Sequence, residues 1–245
     1  MEINDLSNYL NGLLQPERFS DYCPNGLQVE GRREINKIVT GVTASMELLQ
    51  AALQANADAV LVHHGYFWRN EVLPITGIKK QRIQFLLQHD INLFAYHLPL
   101  DMHAELGNNV MLAKQFDLKI TKWVEMLALA EPNKPQTLQT FANLIEAKLN
   151  RKPLVIGDLS KQIKRIALCT GAAQGYIEQA LAENVDVYVS GEISEQTVHV
   201  ARESGMSYIS AGHHATERYG IQALGEHLAQ KFGLQHQFID CDNPV

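Results

Sequence analysis

Apolar positions recur along this chain in two alternating rhythms. Leu6, Tyr9, Leu10, Leu13 and Leu14 keep the spacing of one helical face, with Asn4 or Asp5 placed to cap the helix. Pro24-Asn25-Gly26 then reads as a turn. Short β-branched or aromatic runs follow at 37–42, 59–63, 91–96, 165–170, 185–190, 206–211 and 235–240. Helical patterns fill 44–56, 78–89, 137–149, 173–184, 194–204 and 214–232. Strands apolar on both faces, alternating with helices, predict an α/β fold with mostly parallel sheets. Segment 123–136 breaks the rhythm, because Pro132, Pro135 and the run EPNKPQ have loop composition. The expected domain boundary therefore falls near residue 125, giving a first lobe of 1–125 and a second of 126–245.

The pattern repeats. Residues 37–65 read KIVTGVTASMELLQAALQANADAVLVHHG, and residues 165–192 read RIALCTGAAQGYIEQALAENVDVYVSGE. Both run from a basic residue through a strand, Thr-Gly, an Ala- and Leu-rich helix and Asn-x-Asp to a second strand and a polar cluster. Thr40-Gly41 matches Thr170-Gly171, and Asp58 matches Asp186. The next strand of each half is followed by a His with a carboxylate four residues on: His97 and Asp101, then His213 and Glu217. Two related α/β lobes facing each other are the expected architecture. Ligands of open α/β sheets sit beyond the carboxyl ends of the strands, so the polar clusters would share the cleft between the lobes.

Composition narrows the function classes. Lys+Arg 21 against Asp+Glu 27 gives a net charge of −6 over 245 residues. That balance argues against a sequence-independent grip on nucleic-acid phosphates. Such a module would need basic side chains gathered in one place, for example Lys79, Lys80, Arg82, Lys161, Lys164 and Arg165. No basic-then-apolar leader opens the chain and no run reaches the ~18–20 apolar residues of a membrane span, so a cytoplasmic protein without membrane contact is expected. The three cysteines, Cys23, Cys169 and Cys241, are scattered and read as reduced thiols. No GxxxxGK[ST] loop appears, nor a GxGxxG after the first strand.

The chemistry-bearing residues cluster at strand ends. Val60-Leu61-Val62 runs into His63-His64-Gly65. Within a strand two adjacent side chains point to opposite faces; past its end, a turn at Gly65 would aim both imidazoles at one region. Their alternative is a hydrogen-bonded loop pair. Pro99 argues against a continuous helix from His97 to Asp101, and Asp101 could instead cap the next helix. His213 and Glu217 stand at i, i+4 before an amphipathic helix, where Glu217 could simply favour the positive helix end. Taken together, a His and carboxylate set without Cys suits Zn, Mn, Fe, Ni or Co. The donors outnumber the three protein ligands of a mononuclear catalytic zinc. Two metals ~3.5–4 Å apart, bridged by a carboxylate, would use them all.

The ordered motifs Asn25-Gly26-Leu27-Gln28-Val29, His63-His64, His97-x-x-x-Asp101, Thr170-Gly171, Ser190-Gly191-Glu192 and Gly212-His213-His214-Ala215-Thr216-Glu217 span nearly the whole chain. In this order they resemble the YbgI-like (Nif-three-like) dinuclear-metal-centre family, whose bacterial members carry the label GTP cyclohydrolase 1 type 2 homologue. The chain looks like the short form, without the domain some relatives insert between the halves. The resemblance implies two divalent ions per chain, held by His63, His64, Asp101, His213 and Glu217, with Glu217 as the bridge. His97 is a further candidate, as ligand or as support. Relatives often carry an aromatic at the position of His214, which makes His214 a neighbour of the site. The resemblance also implies two interlocked α/β lobes and a ring-shaped homo-oligomer, commonly a hexamer. The label implies hydrolytic opening of a purine ring, although a phosphoester or an amide suits the same metal chemistry. Glu192 is the candidate to position water or take its proton, with a structural carboxylate as its alternative. His199, on the 194–204 helix, is a further residue that could face the cleft. Two functions therefore stand side by side: a metal-dependent hydrolase of a nucleotide-like small molecule, and a non-enzymatic metal-binding oligomer serving as scaffold or regulator.

Overall fold

The computed structural model describes residues 1–245. The chain divides into two compact units, Met1–Gly107 with Gly220–Asp242, and Asn108–Tyr219 with Asn243–Val245. This differs from contiguous lobes of 1–125 and 126–245: the chain leaves the first unit before residue 125 and returns to it at Gly220.

The first unit opens with α1 (Ile3–Leu14), which buries Ile3, Leu6, Leu10 and Leu14. The N-cap is Glu2, so Asn4 and Asp5 lie inside the first turn and do not cap. Then come β1 (Gly26–Val29), β2 (Lys37–Thr43), α2 (Met46–Gln54), β3 (Ala59–His64), α3 (Gly77–Gln88), β4 (Asn92–Ala95) and the short α4 (Leu98–Asp101). The second unit holds α5 (Asn108–Gln115), β5 (Leu118–Val124), β6 (Leu127–Pro132), β7 (Gln136–Thr137), α6 (Leu138–Leu149), β8 (Leu154–Ile156) and β9 (Gln162–Ile163). It continues through β10 (Ile166–Cys169), α7 (Ile177–Ala182), β11 (Val187–Ser190), α8 (Glu195–Ser204), β12 (Ser207–Ser210) and α9 (His213–Thr216). Finally α10 (Arg218–Phe232) and β13 (Gln235–Phe238) lead back into the first unit. No helix is long and apolar enough to cross a membrane, and all three cysteines are free.

The first unit's sheet runs β1-β4-β3-β2-β13. Its β13-β2-β3-β4 pairings are parallel and β1 is antiparallel at the edge. The second unit's main sheet runs β5-β6-β10-β11-β12-β8. Here β10-β11-β12 are parallel, while β5, β6 and β8 flank them antiparallel. The expected loop at 123–136 is mostly the β5–β6 hairpin, reversed at Glu125 with φ 50. Leu127, Ala128, Leu129 and Ala130 are buried, and EPNKPQ contributes the last two residues of β6 before the chain turns away.

The internal repeat is visible in both units. Asp58 Oδ2 accepts the backbone N–H of Asn36 and Lys37 at 2.8 and 2.9 Å, and Asp186 Oδ2 accepts those of Lys164 and Arg165 at the same distances. Ile38 pairs with Ala59 as Ile166 pairs with Val187. In that register the expected match of Thr40-Gly41 with Thr170-Gly171 fails by two residues. Gly41 lies inside β2, whereas Thr170 and Gly171 lie past the end of β10. The residue equivalent to Gly171 is Thr43.

Candidate metal centre

The first unit gathers its donors at the ends of β3 and β4. His63 and His64 are the last two residues of β3, not a turn beyond it. Their rings nonetheless lie 4.5 Å apart between centroids, and His97 sits 5.0 Å from His63 and 5.7 Å from His64. One donor nitrogen from each of the three falls within 4.8 Å of the others. Gly65 serves close approach more than turning, since a Cβ there would meet Gln28 Oε1 at 2.2 Å. Gln28 in turn accepts from Tyr66 N–H at 2.7 Å and donates to the carbonyls of Pro24 and Tyr66, pinning the segment after His64.

His97 is the N-cap of α4, and Pro99 stands in that helix's first turn, where its missing N–H costs nothing. The turn is helical after all, with Asp101 N–H donating to His97 C=O at 3.1 Å. Asp101 therefore does not cap α5. Its buried carboxylate lies 3.4 Å from His63 Nε2.

The second unit carries the other set. Gly212, at φ 104, caps α9, and His213 follows as its first residue. His213 is thus one position later than His97 in its own helix, so the two His–carboxylate pairs are offset by one residue and are not strict repeat equivalents. His213 Nε2 is 3.2 Å from Glu217 Oε2, and its Nδ1 is 2.7 Å from Glu192 Oε1. Burial pushes the His213 imidazole down, but Glu217 and Glu192 outweigh it and raise the group to about 9. Glu217 is 3% exposed. Gly171, at φ +69, lets the Glu217 carboxylate in: a Cβ there would stand 2.2 Å from Oε1. Gly191 N–H and Ser190 Oγ–H both donate to Gly171 C=O, and Tyr208 holds the Glu192 carbonyl at 2.6 Å.

The histidines share one feature. His63 Nδ1 donates to Tyr96 C=O at 3.0 Å, His97 Nδ1 to Asp21 at 2.7 Å and His213 Nδ1 to Glu192 at 2.7 Å, while Thr43 Oγ1 lies 3.1 Å from His64 Nδ1. An oxygen partner on Nδ1 orients a ring and leaves Nε2 as the coordinating atom, the usual arrangement of metal-binding histidines. The donors and the two buried carboxylates therefore fit a divalent ion chemically.

Two further histidines of the second unit join no donor group, as expected for His214, a neighbour of the site, but not for His199. His199 is exposed on α8 and joins no donor group. His214, also outside the donor groups, gives its backbone N–H to Val245 C=O at 3.0 Å. Sequence reasoning missed Asp21, whose partners His97 and Leu98 are 76 and 77 residues away.

The family model of DUF34/NIF3 (NGG1p interacting factor 3) matches residues 1–244, and the chain belongs to that family. Among curated relatives, a Pseudomonas aeruginosa protein named GTP cyclohydrolase 1 type 2 homolog is 54% identical over 95% of this chain and 94% of its own. A Haemophilus influenzae protein of the same name is 51% identical over 98% of both. Among solved structures, the protein ybgI, described as of unknown function, superposes with a TM-score of 0.98 at 47% identity over both full chains. A Thermus thermophilus protein gives a TM-score of 0.92 at 35% identity, also over both full chains.

Proposed function

We propose that this chain binds two divalent metal ions through His63, His64, Asp101, His213 and Glu217 and hydrolyses a nucleotide-like small molecule. The observation that carries the reading is the shared orientation of the imidazoles, each with an oxygen on Nδ1 and Nε2 left to coordinate. These five groups would hold the ions, and a site with three protein donors per ion would keep a position open for substrate or water. When bound, such a pair of ions polarises a substrate centre and makes water more acidic. The remaining work falls to the chain. Glu192 holds the Nδ1 proton of His213 with one oxygen, and its other oxygen is the candidate to position water or take its proton. The names of the bacterial relatives favour hydrolytic opening of a purine ring as the first reaction to try.

The chain is also proposed to self-associate into a closed ring, commonly six copies in this family. Val72, Leu73, Ile75 and Ile78 are 71, 88, 54 and 66% exposed on one segment of the first unit. An apolar run of that kind marks a contact surface. The same surface supports the second reading, a metal-binding scaffold without turnover. Elemental analysis of purified protein, followed by a turnover screen over nucleotides, phosphoesters and amides, separates the two. Two metals per chain and turnover lost in Glu217→Gln with assembly intact support the enzyme. Two metals and no turnover support the scaffold, and one metal or fewer after reconstitution refutes the dinuclear site.

A further inference from the structure

One buried carboxylate of the first unit has no part in the reading above. Asp21, with a side chain 4% exposed, accepts four N–H donors. Oδ1 takes Tyr22 N–H at 2.6 Å and His97 Nδ1–H at 2.7 Å, and Oδ2 takes Asn25 Nδ2–H at 2.9 Å and Leu98 N–H at 3.0 Å. Asn25 Oδ1 accepts the backbone N–H of His97 at 2.7 Å, so segment 21–25 fixes both the ring and the main chain of His97. Trp68 packs edge-on against the ring at 5.0 Å, and Tyr22 lies tilted to it at 6.2 Å.

Asp21, Cys23 and His97 also bring three donor atoms within 4.8 Å of one another. They do not make a metal site. Both Asp21 oxygens already face N–H donors. Burial opposes ionisation of Asp21, but those bonds hold its carboxyl at about 2. Burial and the Asp21 charge push the Cys23 thiol up to about 12, which keeps it neutral and a poor ligand.

We propose that Asp21 is the positioning residue of His97. It locks the imidazole in the Nδ1–H tautomer and presents Nε2, beside His63 and His64, as a hydrogen-bond acceptor for the O–H or N–H of bound water or substrate. His97 is not a metal ligand in this arrangement. The inference rests on the dinuclear reading, in which the other five groups hold the ions; a sixth would close a position open for substrate or water. A carboxylate that fixes the tautomer of a neighbouring histidine is a common way of setting which nitrogen does the chemistry.

Long-range proton–nitrogen correlation spectra of histidine-labelled protein, recorded metal-free and zinc-loaded, test it. The Nδ1–H pattern of His97 is expected in both states. On zinc loading, the His97 Nε2 signal stays in place while the His63, His64 and His213 signals move. Asp21→Asn has one acceptor oxygen where four donors converge, and should turn the single His97 tautomer into a mixture. His97→Gln should keep two zinc ions per chain. A wild-type Nε2–H tautomer, or no response to Asp21→Asn, refutes the positioning role. Movement of His97 Nε2 on zinc loading, or loss of one zinc in His97→Gln, makes His97 a ligand and overturns the proposal. The wild-type spectra and His97→Gln decide the matter even where Asp21→Asn does not fold. Should wild-type protein bind no zinc, the dinuclear reading fails by itself, and the metal-free spectra still decide whether Asp21 sets the tautomer.

Discussion

Replacing Gly171 by alanine tests Glu217 as a ligand, with Gly205→Ala as its control. Both glycines have left-handed φ, +69 at Gly171 and +72 at Gly205. Each substitution therefore costs a similar ~1–2 kcal/mol of backbone strain. The surroundings differ. Nothing lies within 4 Å of a Cβ on Gly205, whereas a Cβ on Gly171 would stand 2.2 Å from Glu217 Oε1 and 3.3 Å from His213 Nε2. Restoring ordinary contact at 3.4 Å requires the carboxylate oxygen to retreat by 3.4 − 2.2 = 1.2 Å. Disturbing the groups that orient metal ligands costs ~10–100-fold in affinity, which is ~1.4–2.8 kcal/mol. By linkage, metal-induced stabilisation at saturating zinc should shrink by the same amount. Urea unfolding with and without zinc reads both quantities, and competition with a chromophoric chelator gives the affinity directly. Without zinc Gly171→Ala should already lose more stability than Gly205→Ala, because the Glu217 carboxylate must also retreat from His213. With zinc, Gly171→Ala should fall further behind and Gly205→Ala should not. Equal zinc-induced stabilisation in the two variants would refute Glu217 as a ligand.

Other outcomes follow from the same residues. Asp101→Ala should lose metal and stay folded, whereas Leu61→Ala, 1% exposed inside β3, should cost ~2–5 kcal/mol; unfolding of Asp101→Ala with normal metal per folded chain would make Asp101 structural. In the metal-free chain His213 is raised to about 9. Its charged form therefore stabilises the fold fully below the unfolded value of ~6.5, and that contribution is lost as pH rises through 9. Metal must displace that proton, so loading at pH 7.5 should release close to one proton from His213, read by calorimetry in buffers of different ionisation enthalpy; no buffer dependence would remove His213 from the ligand set. Light scattering should give a mass several times the 27.5 kDa of one chain, and a monomer at every concentration would refute self-association.

The central strands were legible because burial on both faces leaves a continuous apolar run, as in Val60-Leu61-Val62 or Val187-Tyr188-Val189. Of the edge strands β13 was legible, but β1, β5 and β8 were not. β5 alternates apolar residues with Lys119, Thr121 and Lys122, most of them exposed, and its mixed composition reads as loop. The discontinuous first unit was hidden because α10 and β13 look like the ordinary close of a second lobe. Only pairing of β13 with β2, across nearly 200 residues of chain, reveals where they belong. At the candidate site the donors themselves were legible, since histidines and carboxylates at strand ends stand out by type. Their supports were not: Asp21, Thr43 and Tyr96 C=O act through contacts distant in sequence, and a backbone carbonyl carries no sequence signal at all.

The duplicated frame explains why the donor sets are unequal. Aligned on Asp58 and Asp186, positions 63 and 64 at the end of β3 correspond to Gly191 and Glu192 at the end of β11. The first unit thus has two imidazoles where the second has a glycine and a carboxylate. Gly191 could not be a histidine, because even a Cβ there would lie 2.6 Å from Gly171 C=O and 2.7 Å from His213 Cα. The space that His63 occupies in one unit is filled in the other by the turn carrying His213. Glu192, at the position of His64, faces His213 Nδ1 and not a further imidazole. One frame therefore supports two chemistries: paired imidazole nitrogens at the end of β3, and a carboxylate–imidazole–carboxylate run of Glu192, His213 and Glu217 after β11 and β12. An intermediate such as Glu192→His would test that logic. It would remove the acceptor on His213 Nδ1 and put a second imidazole beside His213, at the position that His64 holds in the first unit. The raised His213 group should then fall back from about 9, since Glu192 is one of the two carboxylates that raise it. Titration of His213 by proton NMR in the metal-free variant reads this directly, and an unchanged value would show that Glu217 alone holds the charge.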